Sequence, residues 1–114
     1  MTFVSGDVVE VDLGVPAGHE SGFRRPAVVV TAQAVLDATP SVLQLVPLTT
    51  RLRGLSLEVE LDPGSANGLE SRSAAQCQHV RSVAVSRVQE RSGNIGNVAL
   101  AQIREIIALL FDLP

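Results

Sequence analysis

The sequence predicts a mainly β fold of the α+β class, a small β-barrel with a C-terminal amphipathic helix, in one domain over residues 1–114. Three observations predict it. Short apolar runs recur between clusters of Gly, Pro and Asn, on a schedule too tight for helices. Leu55–Asp62, "LSLEVELD", alternates strictly between apolar and polar residues. Only near the C-terminus does the period change: Leu100, Ile103, Ile107 and Leu110 recur at helical spacing.

Each element follows from its local pattern. Asp7–Leu13 reads as a strand with Val9, Val11 and Leu13 on one face and Glu10 and Asp12 on the other. Gly14–Phe23 is rich in Gly and polar residues and reads as a loop. Pro26–Thr31 is an unbroken apolar run, as expected of a strand buried on both faces. Ala32–Ala38 has room for a helical turn or two before Pro40. Val42–Leu48 is a third strand, which should end, bulge or lie at an edge near Pro47, because proline has no amide hydrogen for a ladder. In Leu55–Asp62 the alternation turns Leu55, Leu57, Val59 and Leu61 inward and leaves Ser56, Glu58, Glu60 and Asp62 in water. "DPGSANG" is a turn cluster. Ser73–Val85 holds one long or two short strands. "ERSGNIGN" interrupts the pattern, and Asn97 is the expected N-cap of a helix from Val98 to about Phe111. The count is five or six strands.

Composition narrows the function. Hydrophobic residues make up 46% of the chain, but the aromatics are three Phe only, so the core is aliphatic. The net charge of −3 argues against a general nucleic-acid coat and leaves room for a local basic site. Cys77 is the single cysteine and falls in an apolar stretch, so neither a disulfide framework nor a cysteine-based zinc site is expected. His19 and His79 have no third ligand at metal spacing, so no metal and no cofactor are expected. "MTFVSGDVVEV" has no basic start followed by an apolar stretch, and no apolar run would span a bilayer. The expectation is a cytoplasmic protein with no membrane association.

No phosphate-binding loop, dinucleotide fingerprint or HExxH is present. What remains is a scattered polar set: Glu20, Arg24, Arg25, Thr49, Thr50, Arg51, Arg53, Gln78, His79 and Arg81. All nine basic residues are arginine, the side chain suited to bidentate phosphate contacts.

Five segments in order carry a resemblance: "GDVVEVDL" (Gly6–Leu13), "GHESGFRRPAVVV" (Gly18–Val30), "LVPLTT" (Leu45–Thr50), "NGLESRS" (Asn67–Ser73) and "QHVRSV" (Gln78–Val83). Together with the terminal helix, the chain resembles the MazF/PemK/Kid-type toxin endoribonucleases of bacterial toxin–antitoxin systems over nearly its whole length. The resemblance implies an SH3-like barrel of the MazF/PemK/CcdB type that forms a homodimer. It implies metal-independent cleavage of single-stranded RNA at short sequence motifs, and a cognate antitoxin protein as partner. It places the catalytic pair on Arg25 and Thr49. The general base stays open between His19, which has a suitable unperturbed pKa, and Glu20, which matches the family's loop glutamate. Arg81 matches a late arginine as an auxiliary residue. Some relatives carry an acid just after it, where this chain has Ala84. RNA contacts are expected from Arg24, Arg51, Arg53, Gln78 and His79, with a positive groove around Arg24, Arg25, Arg51 and Arg53. Two other readings remain: a non-enzymatic gyrase-binding toxin of the CcdB type, against which the ending "LLFDLP" counts, and an inactive member that only binds antitoxin.

Overall fold

β1 (Asp7–Asp12) and β2 (Arg24–Val29) pair antiparallel, Val9 opposite Ala27 and Val11 opposite Arg25. The computed structural model describes residues 1–114. A one-turn α1 (Gln33–Leu36) tucks Leu36 into the core and leads to β3 (Val42–Thr49). Next come β4 (Glu58–Leu61), β5 (Ser73–Gln76), a 3₁₀ turn over Cys77–His79, and β6 (Arg81–Ala84). A second 3₁₀ turn, Val85–Arg87, precedes β7 (Val88–Asn94) and α2 (Gly96–Leu110). The strands run in the order β4-β5-β3-β2-β1-β7, with β6 also on β3. β4 and β7 end this order and share no ladder, so the expected barrel is a seven-stranded sheet that is not closed.

The sheet carries apolar packing on both faces. Val8, Val28, Val46, Leu48 and Val59 join Leu100 and Ile103 of α2 in one cluster. Val9, Val11, Leu13, Ala27, Val29 and Leu45 form the other, with Phe3 and Leu36. That is why β2 has no polar alternation: its successive residues enter different cores.

Two prolines shape one end of the sheet. Val30 donates to the Gln44 carbonyl at 3.0 Å, so alternate residues of β2, Val28 and then Pro26, turn toward β3. Pro26 has no hydrogen to give, and the β2–β3 ladder stops at Ala27 opposite Pro47. On its other edge β3 changes partner, from β6 at Leu45–Arg81 to β5 at Leu48–Ala75. Pro47 falls in that gap. The strand therefore neither ends nor lies at an edge there; it is the centre of the sheet, and its missing donor is placed where no partner asks for one.

Four expectations change in the structure. The strand expected from Leu55 begins at Glu58, because Glu58 N–H bonds back to the Leu55 carbonyl in a turn that leaves Leu55 exposed. "ERSGN" is not a break but most of β7, an edge strand whose polar residues face water while its backbone pairs with β1. Gly93 in it is required by close approach: a Cβ there would lie 2.4 Å from the Ala66 carbonyl oxygen. The helix starts at Gly96, and Asn94 rather than Asn97 holds its first turn, accepting from Gly96 N–H at 2.8 Å. Leu100 and Ile103 are buried as the stripe requires, but Leu110 is exposed beyond the end of the core. No helix is long and apolar enough to cross a membrane.

β7 is locked to β1 by a buried carboxylate. Asp7 is 0% exposed and receives Arg91 Nε and Asn94 Nδ2 on one oxygen, both at 3.1 Å, and Val4 N–H on the other at 2.7 Å. Asp7→Ala is expected to lower stability by about 1–3 kcal/mol in urea denaturation, because Val4 N–H and Asn94 Nδ2 lose their acceptor while half-exposed Arg91 turns to water. Arg91→Ala should cost at least as much, since it leaves a fully buried carboxylate without its counter-charge; a clearly smaller loss would show that Val4 and Asn94 alone compensate Asp7.

Candidate active site

Carrying the Ala27–Pro47 register two residues further sets Arg25 opposite Thr49. Both lie past the last paired position, on strand ends that no longer bond to each other. The β2 end is reached through a loop that turns sharply at Phe23, whose φ of 60° is left-handed. Gly22, just before it, packs against Pro16 so closely that a Cβ would sit 2.4 Å from the proline Cδ.

Arg25 is half-buried and held at two points. Its Nε donates to the Gly22 carbonyl at 3.1 Å and its Nη1 to Gln76 Oε1 at 3.4 Å. Gln76 is itself buried and its Oε1 also accepts from Ser21 Oγ at 3.1 Å. Gln76 is a residue that sequence reasoning missed. Its only signal was a polar side chain in the otherwise apolar stretch "AAQC". Thr49 is half-buried, and its Oγ1 accepts from Arg51 N–H at 3.1 Å, which leaves the hydroxyl hydrogen free to donate.

The switch of β3 from β6 to β5 brings the second half of the site. The 3₁₀ turn between those strands presents Gln78 and His79. Gln78 Nε2 donates to Glu58 Oε2 at 2.7 Å, and Arg53 Nη2 pairs with the same oxygen at 3.2 Å. The Glu58 side chain is only 2% exposed, which corrects the expectation that it faces water away from the site. It also corrects the groove: Arg53 is neutralised by Glu58. Arg24, Arg25 and Arg51 are without ion pairs, all of which involve Arg53, Arg72 and Arg91. Glu60 and Asp62 are engaged by Arg72.

His79 is lowered below its ordinary pKa, first by burial and then by the positive charge of Arg53, with Arg25 adding to it. Glu58 and Glu20 pull the other way and do not win. The imidazole is therefore neutral at pH 7. Beneath it, burial pushes the Cys77 thiol up to about 11, so that group stays protonated and inert.

The remaining candidates divide. Arg81 Nη1 reaches the Ser21 carbonyl at 3.5 Å, tying β6 to the Arg25 loop. Glu20 is exposed and uses Oε1 to accept from Ala17 N–H at 2.8 Å, closing its own loop. His19 is exposed, and its side chain makes no hydrogen bond or ion pair. Ala84 is exposed opposite Val42, and brings no carboxylate. No group of three or more His, Cys, Asp and Glu side chains is arranged to hold a metal ion. A cleft of about 420 Å³ that reaches Pro26 and Thr50, the neighbours of Arg25 and Thr49, is lined by Glu10, Glu70 and Glu90 with serines and no arginine, a poor surface for phosphates.

Comparison with known proteins identifies the family. Residues 5–111 match the model of a family described as the PemK-like, MazF-like toxin of type II toxin–antitoxin systems. The chain is 31% identical over 113 residues to endoribonuclease MazF9 of Mycobacterium tuberculosis, covering 95% of each chain. It is 34% identical over 89 residues to the probable endoribonuclease MazF5 of the same organism, covering 78% of this chain and 80% of the relative. Among solved structures, MazF from Deinococcus radiodurans superposes with a TM-score of 0.84 at 28% identity, covering 99% of both chains. A MazE–MazF complex from that organism gives 0.78 at 28% identity, covering 100% of both. With nearly its whole length matched in sequence and in fold, this chain belongs to the PemK-like, MazF-like toxin family of type II toxin–antitoxin systems.

Proposed function

We propose that this chain is the toxin of a type II toxin–antitoxin pair and a sequence-specific endoribonuclease acting on single-stranded RNA in the cytoplasm, as a homodimer restrained by a cognate antitoxin. The observation that carries the reading is Arg25, a guanidinium without an ion pair, fixed by Gly22 and Gln76 beside Thr49. The endoribonuclease names of the mycobacterial relatives and the MazE–MazF complex support it.

The chemistry is transfer of a phosphodiester without metal. The ribose 2′-oxygen, giving its proton to a base, attacks the adjacent phosphorus; the bond from phosphorus to the 5′-oxygen breaks, and the departing 5′-oxygen takes up a proton from water. The products are a 2′,3′-cyclic phosphate and a 5′-hydroxyl. Charge grows on the non-bridging oxygens as phosphorus becomes five-coordinate, and a guanidinium already held in place stabilises it without reorganising. Arg25 has that role, and the free Thr49 hydroxyl hydrogen donates to a non-bridging oxygen. Arg25 is unsuited to take the 2′-proton, since arginine does not deprotonate in proteins. Neutral His79, close enough to feel Arg25 and Arg53, suits that task better than His19, which is exposed and held by no side-chain contact. Arg24 and Arg51, exposed and without ion pairs, hold the RNA backbone.

With EDTA present, purified protein should cleave mixed-sequence single-stranded RNA and leave cyclic-phosphate ends. Arg25→Ala is expected to lower kcat about 10²–10³-fold, and Thr49→Val about tenfold, one neutral hydrogen bond being lost. Absence of cleavage by folded, dimeric wild-type protein would refute the reading.

The pH profile tests His79. A base must be unprotonated, and its folded pKa lies below 6.5. The rate should be level at neutral pH and fall about tenfold per unit once pH drops below that pKa. His79→Gln should lower the plateau and abolish this acid limb; an unchanged limb would assign the proton transfer to another group.

A further inference from the structure

Glu58 and Gln78 carry more than a structural pairing. Glu58 Oε2 is saturated by Arg53 and Gln78, but Glu58 Oε1 is buried with no donor, and so is Gln78 Oε1. The orientation of the Gln78 amide is fixed by the same network: its Nε2 must face the carboxylate, so its oxygen must face elsewhere. Buried acceptors are normally satisfied, and leaving one unmade is a desolvation cost that a matching donor removes. Here two such oxygens occur on side chains that touch, in the cluster that holds His79, beside an Arg53 side chain that is 41% exposed and bonded only to the other Glu58 oxygen.

We propose that Glu58 Oε1 and Gln78 Oε1 form a base-reading subsite that selects guanine in the RNA; the proposal rests on the RNA-cleaving role above and names the base it recognises. Guanine is the one standard base with two N–H donors on adjacent atoms, N1–H and the 2-amino group. Uracil offers one N–H flanked by carbonyls, which the two oxygens repel. Cytosine and adenine each set a ring-nitrogen acceptor beside their amino group, so one oxygen meets a lone pair. Arg53, once displaced from Glu58, supplies a donor for guanine O6. Arg25 and Thr49 meet the phosphate, which is the same in every RNA; discrimination requires side chains whose hydrogen-bonding pattern fits one base edge.

The test separates recognition from cleavage. A random-sequence 2′-fluoro RNA library, which lacks the attacking hydroxyl, is selected on immobilised wild-type protein and sequenced. Guanine should be enriched at one fixed position. Replacing it with inosine, which lacks the 2-amino donor, should weaken binding about tenfold. Glu58→Gln turns an acceptor into a donor and should remove the distinction between guanine and inosine, with enrichment at the other positions retained as proof of an intact fold. Gln78→Met, of similar size but without the acceptor, should do so too. Enrichment without guanine at any position, or guanine preference unchanged in both variants, overturns the proposal. Cleavage of ordinary RNA is measured alongside, so that active cutting without a guanine preference removes this inference alone, and failure to bind or cut any RNA removes both readings.

Discussion

β3 has to serve three other strands. It holds β2 along one edge, and along the other it gives its first half to β6 and its last residues to β5. A central strand shared in this way must contain a point where its backbone bonds to neither partner, and Pro47 occupies it. The chain between the two partner strands has to cross that gap, and it does so in the 3₁₀ turn Cys77–His79. The site depends on this arrangement. Gln76 ends one partner strand, Arg81 begins the other, and Gln78 and His79 lie on the turn between them. A β3 with a single long partner would have no turn there and no group beside Arg25.

Pro26 completes the constraint from the other side. By ending the β2–β3 ladder two residues short of Arg25 and Thr49, it leaves their strand ends unzipped while the valines behind remain buried in two cores. Arg25 and Thr49 thus stand on rigid strands, and the backbone between them is unpaired. This is the economical way to hold a guanidinium still and accessible at once. Gln76 and Gly22 then decide its aim.

The two buried carboxylates show how differently one group type is used. Both oxygens of Asp7 are bonded, and it acts as a clamp between β1 and β7. Glu58 has one oxygen bonded and one bare, in a cluster of arginine, glutamine and histidine. Full satisfaction goes with structure. The deficit of donors at Glu58 is the observation on which the base-reading proposal rests.

Much was legible from residue pattern. The alternation of Val9, Val11 and Leu13, the double burial of the β2 valines and the Leu100–Ile103 contact follow from periodicity, because side-chain direction is a local property of strand and helix. Arg25, Pro26 and Thr49 stood out because they occur in contiguous motifs. Other features left no such trace. β7 was hidden because an edge strand needs backbone partners more than apolar side chains. Glu58 looked like an ordinary solvent-facing strand residue, since burial of its side chain comes from Arg53 and Gln78, the latter 20 positions away. Gln76 lies 51 residues from Arg25, and no spacing rule links them.

The sequence by itself therefore determined the fold class, the family and the strand ends that carry Arg25 and Thr49, since each is written in short-range pattern. Only the tertiary structure decided which charges are compensated: Arg53 by Glu58, Asp7 by Arg91, and Arg24, Arg25 and Arg51 by none. Charge compensation depends on distances across the sheet, and those exist only once β3 has brought its three partners together.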